Sequence, residues 1–139
     1  MPVRVALNSK GTLMAVAGEA VFGAYGFTVK DIESWGGRVS YIAYNNGLGM
    51  MKNGQIDVII NMLAFPSSQI VNAARDTPFK LVGLSGDAVK RLNDQLGTES
   101  ITVPANTYAF APDAAATVRG SVVVMAAAEM KDKIGRAHV

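Results

Sequence analysis

Residues 3–26 decide the fold, and they read VRVALNSKGTLMAVAGEAVFGAYG. The β-rich run over 3–7 predicts a strand, and apolar residues at helical spacing predict a helix over 12–25. Gly26 is suited to the end of this helix because glycine adopts the left-handed conformation that commonly follows a last turn. A strand that leads through a short turn into a helix is typical of a βαβ unit, and it predicts a parallel sheet.

The same alternation of strand and helix continues along the chain. It predicts strands over 38–44, 56–60 and 79–84, and helices over 47–52, 66–75 and 85–96, with one short helical turn near residue 32. The strand at 56–60 is almost entirely apolar, which predicts burial on both of its faces. The predicted fold class is therefore α/β, a layered sheet of about five mainly parallel strands with flanking helices.

The character of the sequence changes after residue 101. Residues 103–113 contain two prolines and show no consistent period, so they predict an extended connection. Residues 117–125 are β-rich and have no obvious place in the first sheet. Because an exposed strand edge tends to pair with another chain, we expect a homodimer or an exchanged segment through this orphan strand.

Composition and charge exclude several classes of protein. The 139 residues carry a net charge of +2, and the basic residues are scattered rather than clustered, so no nucleic-acid partner is expected. The chain has no cysteine and a single histidine, His138, so we expect no metal site, no cofactor and no histidine-based catalysis. Asp57 is interpreted as a partner of the preceding turn rather than as a catalytic group. We expect that the protein is not an enzyme.

The apolar stretches are too short to cross a bilayer, and the first residues do not form a secretion signal. The sequence therefore predicts either a cytoplasmic protein or a chain from which a signal has been removed.

Three predicted loops follow strands at the edge where open α/β sheets bind ligands, namely 8–12, 44–47 and 61–66. The first contains Ser9, Lys10, Gly11 and Thr12, which offer hydroxyl groups, a positive charge and a close approach to the start of a helix. Unpaired N–H groups at such a start suit a carboxylate or a phosphate, although the spacing is not that of a phosphate loop. The alternative is that Ser9 or Thr12 simply caps the helix.

The other two loops provide further candidates for ligand binding. The run Tyr44-Asn45-Asn46 can exchange hydrogen bonds with a small polar ligand, or it can cap the next helix, and Asn45 is the candidate chosen from it. In the third loop apolar residues continue past the strand, which is typical either of a pocket wall or of ordinary core. The candidates from this loop are Asn61, Met62, Ala64 and Phe65.

Five segments, in this order along the chain, resemble the TAXI family of solute-binding proteins of TRAP transporters. They are VALNSKGT (5–12), AYGFT (24–28), MKNGQIDV (51–58), TPFKLV (77–82) and VPANTY (103–108). The similarity covers about residues 3–125, and the combination of NGQIDV with VPANTY is its most specific part. The resemblance adds Tyr108 to the candidate ligand-binding residues.

This resemblance implies one lobe of a type II periplasmic binding protein, in which two α/β lobes close on a small organic anion, a dicarboxylate or an amino acid such as glutamate. Its partners would be the membrane subunits of a TRAP transporter, and its location periplasmic or extracytoplasmic. Residues 1–102 would then be an α/β ligand-binding lobe, mainly the family's second lobe. Residues 103–125 would be a hinge or crossover segment with a strand toward the first lobe, and 126–139 a tail.

The chain departs from the family pattern at two places. Lys10 lies where the family has a small serine, and the bulkier Leu63-Ala64-Phe65 replaces a glycine-rich turn, so the ligand class is expected to differ. The family's signal peptide, first lobe and C-terminal helices have no counterpart in the sequence, which predicts weak binding by the chain alone. The alternative function is the effector-sensing lobe of a bacterial transcription regulator, but no helix-turn-helix is recognisable.

Overall fold

A computed structural model of the protein describes residues 2–121 together with Met125 and Ala128. Its elements are, in chain order, β1 (Arg4–Leu7), α1 (Leu13–Ala24), α2 (Val29–Ser34), β2 (Arg38–Tyr41), α3 (Tyr44–Lys52), β3 (Val58–Ile59), α4 (Ser68–Ala73), α5 (Gly86–Leu96), β4 (Glu99–Val103) and β5 (Ala115–Arg119). In the part of the chain that the structure describes, no helix is long and apolar enough to cross a membrane.

The first sheet has three parallel strands in the order β2-β1-β3. The central strand places Val5 opposite Val39 on one side and Val58 on the other. Because all three strands run in the same direction, their carboxyl ends and the loops that follow lie along one edge. The predicted α/β class, with a layered sheet and flanking helices, is confirmed, and the architecture is compatible with a lobe of a periplasmic-binding-protein-like domain.

Two hydrophobic clusters hold the helices in place. Buried residues of the sheet pack against α1 and α2 in the first cluster, which consists of Val5, Leu7, Phe22, Ile32 and Val39. The second joins α1 to α5 through Ala20, Ala24, Ala88 and Leu92. Three of these four residues are alanines, whose small side chains allow the two helices to approach closely. The termini of α5 agree with the sequence: the hydroxyl of Ser85 accepts from the N–H of Ala88, and Gly97 follows in the left-handed conformation.

The last described strand, β5, is not an orphan. It pairs antiparallel with β4, with Glu99 opposite Arg119 and Val103 opposite Ala115. The prediction that residues 117–119 lack a partner is therefore wrong, because a hairpin-like return over 104–114 brings β5 back onto β4. Residues 122–124 of the predicted strand lie outside the described residues. The proposed homodimer stays a prediction, but its argument no longer applies to the paired part of the strand.

Three further expectations are corrected. Residues 79–84 do not form a strand; the segment runs beside β5, where the N–H of Leu84 donates to the carbonyl of Ala116 at 2.8 Å. The five strands are consequently divided into a parallel sheet of three and an antiparallel sheet of two. The strand predicted at 56–60 is not buried on both of its faces: Val58 of β3 is 39% exposed, and β3 is at the edge of its sheet, where it pairs only with β1.

An ion pair joins the starts of β1 and β3. The Arg4 guanidinium donates to both carboxylate oxygens of Asp57, at 2.9 and 2.7 Å, and the backbone N–H of Arg4 donates at 2.9 Å. These hydrogen bonds hold the pKa of Asp57 at about 2. Asp57 is therefore a structural residue, as interpreted, but its partner is the neighbouring strand and not the preceding turn.

Candidate functional site

The carboxyl ends of the three parallel strands border a shallow cleft. Its enclosed part has room for about one water molecule, and the rest of it is open to solvent. Most of the lining is apolar, and three polar side chains, those of Asn8, Tyr44 and Asn61, border it. The full lining is Ala6 and Leu7 of β1 with Asn8 directly after it, Ile42 directly after β2, Tyr44 and Gly47 of α3, and Ile59 of β3 with Ile60 and Asn61 directly after it. The predicted location of a site at this edge thus coincides with a cleft.

Two asparagine side chains meet at the cleft. The Nδ2 of Asn8 lies 3.4 Å from the Oδ1 of Asn61, which also accepts from the N–H of Met62 at 3.0 Å. The Oδ1 of Asn8 accepts from the N–H of Ser9 at 2.7 Å. Both amide oxygens are therefore occupied, which fixes the orientation of both amides. The Nδ2 of Asn61 donates to no group in the described part of the chain, so this donor is available to a ligand.

Thr12 caps α1 at the end of the turn that begins with Asn8. Its hydroxyl donates to the carbonyl of Ser9 at 2.7 Å and accepts from the N–H of Ala15 at 3.2 Å. The capping alternative is thereby confirmed for Thr12. The N–H groups of Leu13 and Met14 donate to no group among the described residues, and they carry the positive end of the helix dipole.

Lys10 belongs to the β1–α1 turn and is not part of the cleft lining. Its ammonium group is 5.4 Å from the centroid of the Tyr41 ring. The Tyr41 hydroxyl donates to Oε1 of Glu19, and this hydrogen bond is the main cause that raises the pKa of Tyr41 to about 12. Gly11, the next residue, has a φ of +84°, a conformation that other residues rarely adopt.

The start of α3 contributes Tyr44 to the cleft. Burial raises the pKa of Tyr44 above its ordinary value, and the nearby Tyr108 adds to this effect. Asn45 is exposed, and its Oδ1 accepts from Nε2 of Gln69 at 3.0 Å, which links α3 to α4. The capping alternative for Asn45 is wrong, because no side chain caps this helix.

The loop from β3 to α4 departs from the cleft after Asn61. Ala64 and Phe65 are exposed, and neither lines the cleft. Met62 is half-buried, and its methyl carbon is 3.4 Å from the point where a Cβ on Gly120 would lie. The apolar residues of this loop are therefore neither cleft wall nor fully buried core in the described structure.

Tyr108 has a clear structural contact. Its ring is stacked on Phe110 with centroids 5.3 Å apart, and the residue is only 4% exposed. Its hydroxyl accepts from the N–H of Ser67 at 2.8 Å, and Ser67 precedes the first residue of α4. Tyr108 thus holds the end of the β3–α4 loop in place, although it lies 41 residues after Ser67 in the sequence.

Of the predicted candidates, only Asn61 lines the cleft, while Ser9, Lys10, Gly11 and Thr12 form the turn that follows Asn8. Asn8 was missed as an individual residue, although it lies in a loop that the sequence indicated and directly follows a buried strand. Tyr44 was indicated together with Asn45 and Asn46, but Asn45 was chosen as the candidate. Residues 2–121 hold no cluster of His, Cys, Asp and Glu that could bind a metal ion.

Open α/β sheets bind ligands at the carboxyl ends of their strands, which is where this cleft lies. The family model that describes the NMT1-like family matches residues 3–137, and the chain belongs to this family, which is periplasmic-binding-protein-like. A search of the curated proteins found no match. The family supports a solute-binding or ligand-binding domain.

Proposed function

We propose that the chain is the ligand-binding lobe of an extracytoplasmic solute receptor. It binds a small organic anion, a dicarboxylate or an amino acid such as glutamate, for delivery to the membrane subunits of a TRAP transporter. It catalyses no reaction and uses no cofactor. Membership of the NMT1-like family supports the binding role, and the resemblance of five sequence segments to the TAXI family supports the transporter.

The observation that carries this proposal is the available Nδ2 donor of Asn61, whose oxygen is held by Asn8, the residue that begins the β1–α1 turn. Asn8 and the N–H of Met62 fix the Asn61 oxygen, so the amide cannot turn this oxygen toward an anion without losing both contacts. A carboxylate at the cleft can accept from Nδ2 and from the first-turn N–H groups of α1. Hydrogen bonds to a charged acceptor are stronger than those between neutral groups.

The apolar part of the cleft suits the carbon chain of such an anion. The cleft is shallow, however, and a ligand in it stays largely in contact with water. Small-molecule sites bury most of the ligand surface. In this proposal a second lobe covers the cleft, and we expect the chain by itself to bind in the millimolar range or more weakly.

The experiment is an NMR titration of the chain with glutamate and with succinate at constant ionic strength, repeated by calorimetry on a two-lobed receptor that contains it. The Nδ2 protons of Asn61 and the N–H groups of Leu13 and Met14 should shift on binding. Asn61→Ala should weaken binding about tenfold, because it removes a hydrogen bond to a charged group. Asn61→Asp should weaken it further by adding a negative charge.

Asn53→Asp is the matched control, because it adds the same charge at the opposite end of α3 from the cleft. Equal losses from Asn53→Asp and Asn61→Asp would show that net charge, and not the cleft, determines binding. Shifts that avoid Asn61 and the start of α1 would contradict the site. For transport, adjacent genes for TRAP membrane subunits would support the proposal, while a DNA-binding module in the same reading frame would favour the regulator.

A further inference from the structure

The lining of the cleft contains a glycine at a position where an alanine would fit. Gly47 is a buried residue of α3 and lines the cleft. A Cβ added to it would lie 3.6 Å from the Cβ of Ala6, 3.7 Å from the Cδ1 of Ile59 and 3.8 Å from the Cδ1 of Ile42. These are ordinary van der Waals distances, and all three residues also line the cleft. The space that the missing side chain leaves is therefore part of the cleft, and we call it the Gly47 subsite.

Nothing in the local structure requires glycine at this position. Gly47 does not have the positive φ that favours glycine, and within a helix glycine is less stable than alanine because it loses more backbone entropy on folding. In the part of the chain that the structure describes, no atom outside its own helical turns lies closer than 3.6 Å to the Cβ position. An alanine would therefore stabilise α3 and would at the same time fill the subsite.

The Gly47 subsite is suited to an apolar group. The three atoms nearest to it are carbon atoms, so a water molecule between them lacks the polar partners that hold a buried water. The enclosed part of the cleft has room for about one water molecule, which is close to the size of a methyl group. A methyl group that leaves water for such a place raises the affinity of its ligand by up to about fourfold.

We propose that Gly47 keeps this subsite open for a methyl branch on the carbon chain of the ligand. The inference rests on the proposed function, and it selects methyl-branched molecules among the anions that the cleft admits. Asn61, which carries the available Nδ2 donor, lines the same small cleft, so one short molecule can place its carboxylate at Asn61 and its branch at Gly47. Methylsuccinate should then bind about two- to fourfold more tightly than succinate.

The first test needs no ligand. Gly47→Ala should raise the Tm of the chain by up to about 4 °C, because alanine is the better helix former and its methyl group fills apolar space. Gly49→Ala should also raise the Tm, since Gly49 belongs to the same helix and has no neighbour within 4 Å of its Cβ position. A Gly47→Ala variant with a lower Tm than the unmodified chain would show that the space does not exist and would overturn the inference.

The second test is an NMR titration, at constant ionic strength, with succinate and with each enantiomer of methylsuccinate. One enantiomer should bind about two- to fourfold more tightly than succinate and the other should not, because the carboxylate at Asn61 fixes the side on which the branch leaves the chain. Gly47→Ala should remove this preference and change succinate affinity by less than about twofold, since only the branch needs the space. Gly49→Ala is the matched control and should keep the preference.

A third variant enlarges the subsite. Ile42→Val removes the Cδ1 that lies 3.8 Å from the Cβ position of Gly47, and the loss of one buried methyl group from isoleucine is among the milder changes in a core. Ethylsuccinate should bind to this variant at least about twofold more tightly than to the unmodified chain. An unchanged affinity for ethylsuccinate would mean that Ile42 does not limit the space and would contradict the subsite.

The outcomes separate this inference from the proposed function. If Asn61→Ala weakens succinate binding but neither enantiomer of methylsuccinate has an advantage over succinate, the cleft binds anions and the methyl subsite is wrong. A preference for methylsuccinate that survives in Gly47→Ala would place the branch elsewhere and overturn the inference. If Gly47→Ala raises the Tm but no anion binds to the chain or to the two-lobed receptor, the proposed function fails and takes the ligand role of Gly47 with it.

Discussion

Two tyrosine hydroxyls accept a backbone N–H at the start of a helix, and the difference in their burial provides a sharp prediction. Tyr108 is 4% exposed and accepts from Ser67 at 2.8 Å, whereas Tyr25 is 46% exposed and accepts from Ser85 at 3.0 Å. Tyr→Phe removes the same hydroxyl at each position. At Tyr108 the half-buried N–H loses its partner, which costs about 1–2 kcal/mol of stability. At Tyr25 water replaces the hydroxyl, and the expected cost is below about 0.5 kcal/mol.

Thermal unfolding of the two variants measures this difference directly. For a chain of this size, about 1 kcal/mol corresponds to about 4 °C in Tm, so Tyr108→Phe should lower Tm by about 4–8 °C and Tyr25→Phe by less than about 2 °C. Equal shifts would refute the argument from burial. A succinate affinity that falls in Tyr108→Phe with no change in Tm would show that Tyr108 contacts the ligand, as the sequence predicted, and is not an anchor of the loop.

Two other features of the fold can be tested by unfolding in urea. Gly37→Ala should destabilise the protein by about 1–3 kcal/mol, because the added Cβ would lie 2.6 Å from the carbonyl oxygen of Val3. Gly49→Ala, in an open position of α3, should instead stabilise it by up to about 1 kcal/mol. A Gly37→Ala variant that is more stable than the unmodified protein would contradict this reasoning. The Asp57 pKa is about 2, below its ordinary 3.8, so the stability from its pair with Arg4 is present above about pH 4 and is lost as the pH falls toward 2. Asp57→Asn should remove this part of the pH dependence, and an unchanged pH profile would count against it.

Local sequence patterns predicted correctly the helices whose start, end and apolar face are all marked by residues within the helix or next to it. For α1 and α5 the spacing of apolar residues, a hydroxyl at the start and a glycine after the end all agree, and both helices lie within one or two residues of their predicted bounds. Residues 79–84 show the limit of this method. Their composition is that of a strand, but a strand needs a neighbour along its whole length, and this segment has a single backbone hydrogen bond to β5.

The pairing of β4 with β5 was beyond local inference for a related reason. The composition of residues 117–119 indicated a strand correctly, yet its partner is distant in sequence, since Arg119 pairs with Glu99, 20 residues earlier. The prolines and small residues between them suggested an extended connection, and nothing local shows that such a segment turns back. Strand partners are chosen by contacts that are distant in sequence, so a single sequence identifies a strand more readily than its neighbour.

The site illustrates the same distinction at the level of side chains. Topology predicted its location, because parallel strands must end at one edge and their loops must meet there. It did not predict which side chains face the cleft: Asn61 does, whereas Phe65, four residues later in the same loop, is exposed away from the lining. Lys10 was selected for its charge, and the neighbour of its ammonium group is the ring of Tyr41, which lies 31 residues away in the sequence. The surroundings of a loop residue are thus supplied by elements that are distant in sequence, so a single sequence predicts the position of a loop more readily than the contacts of its side chains.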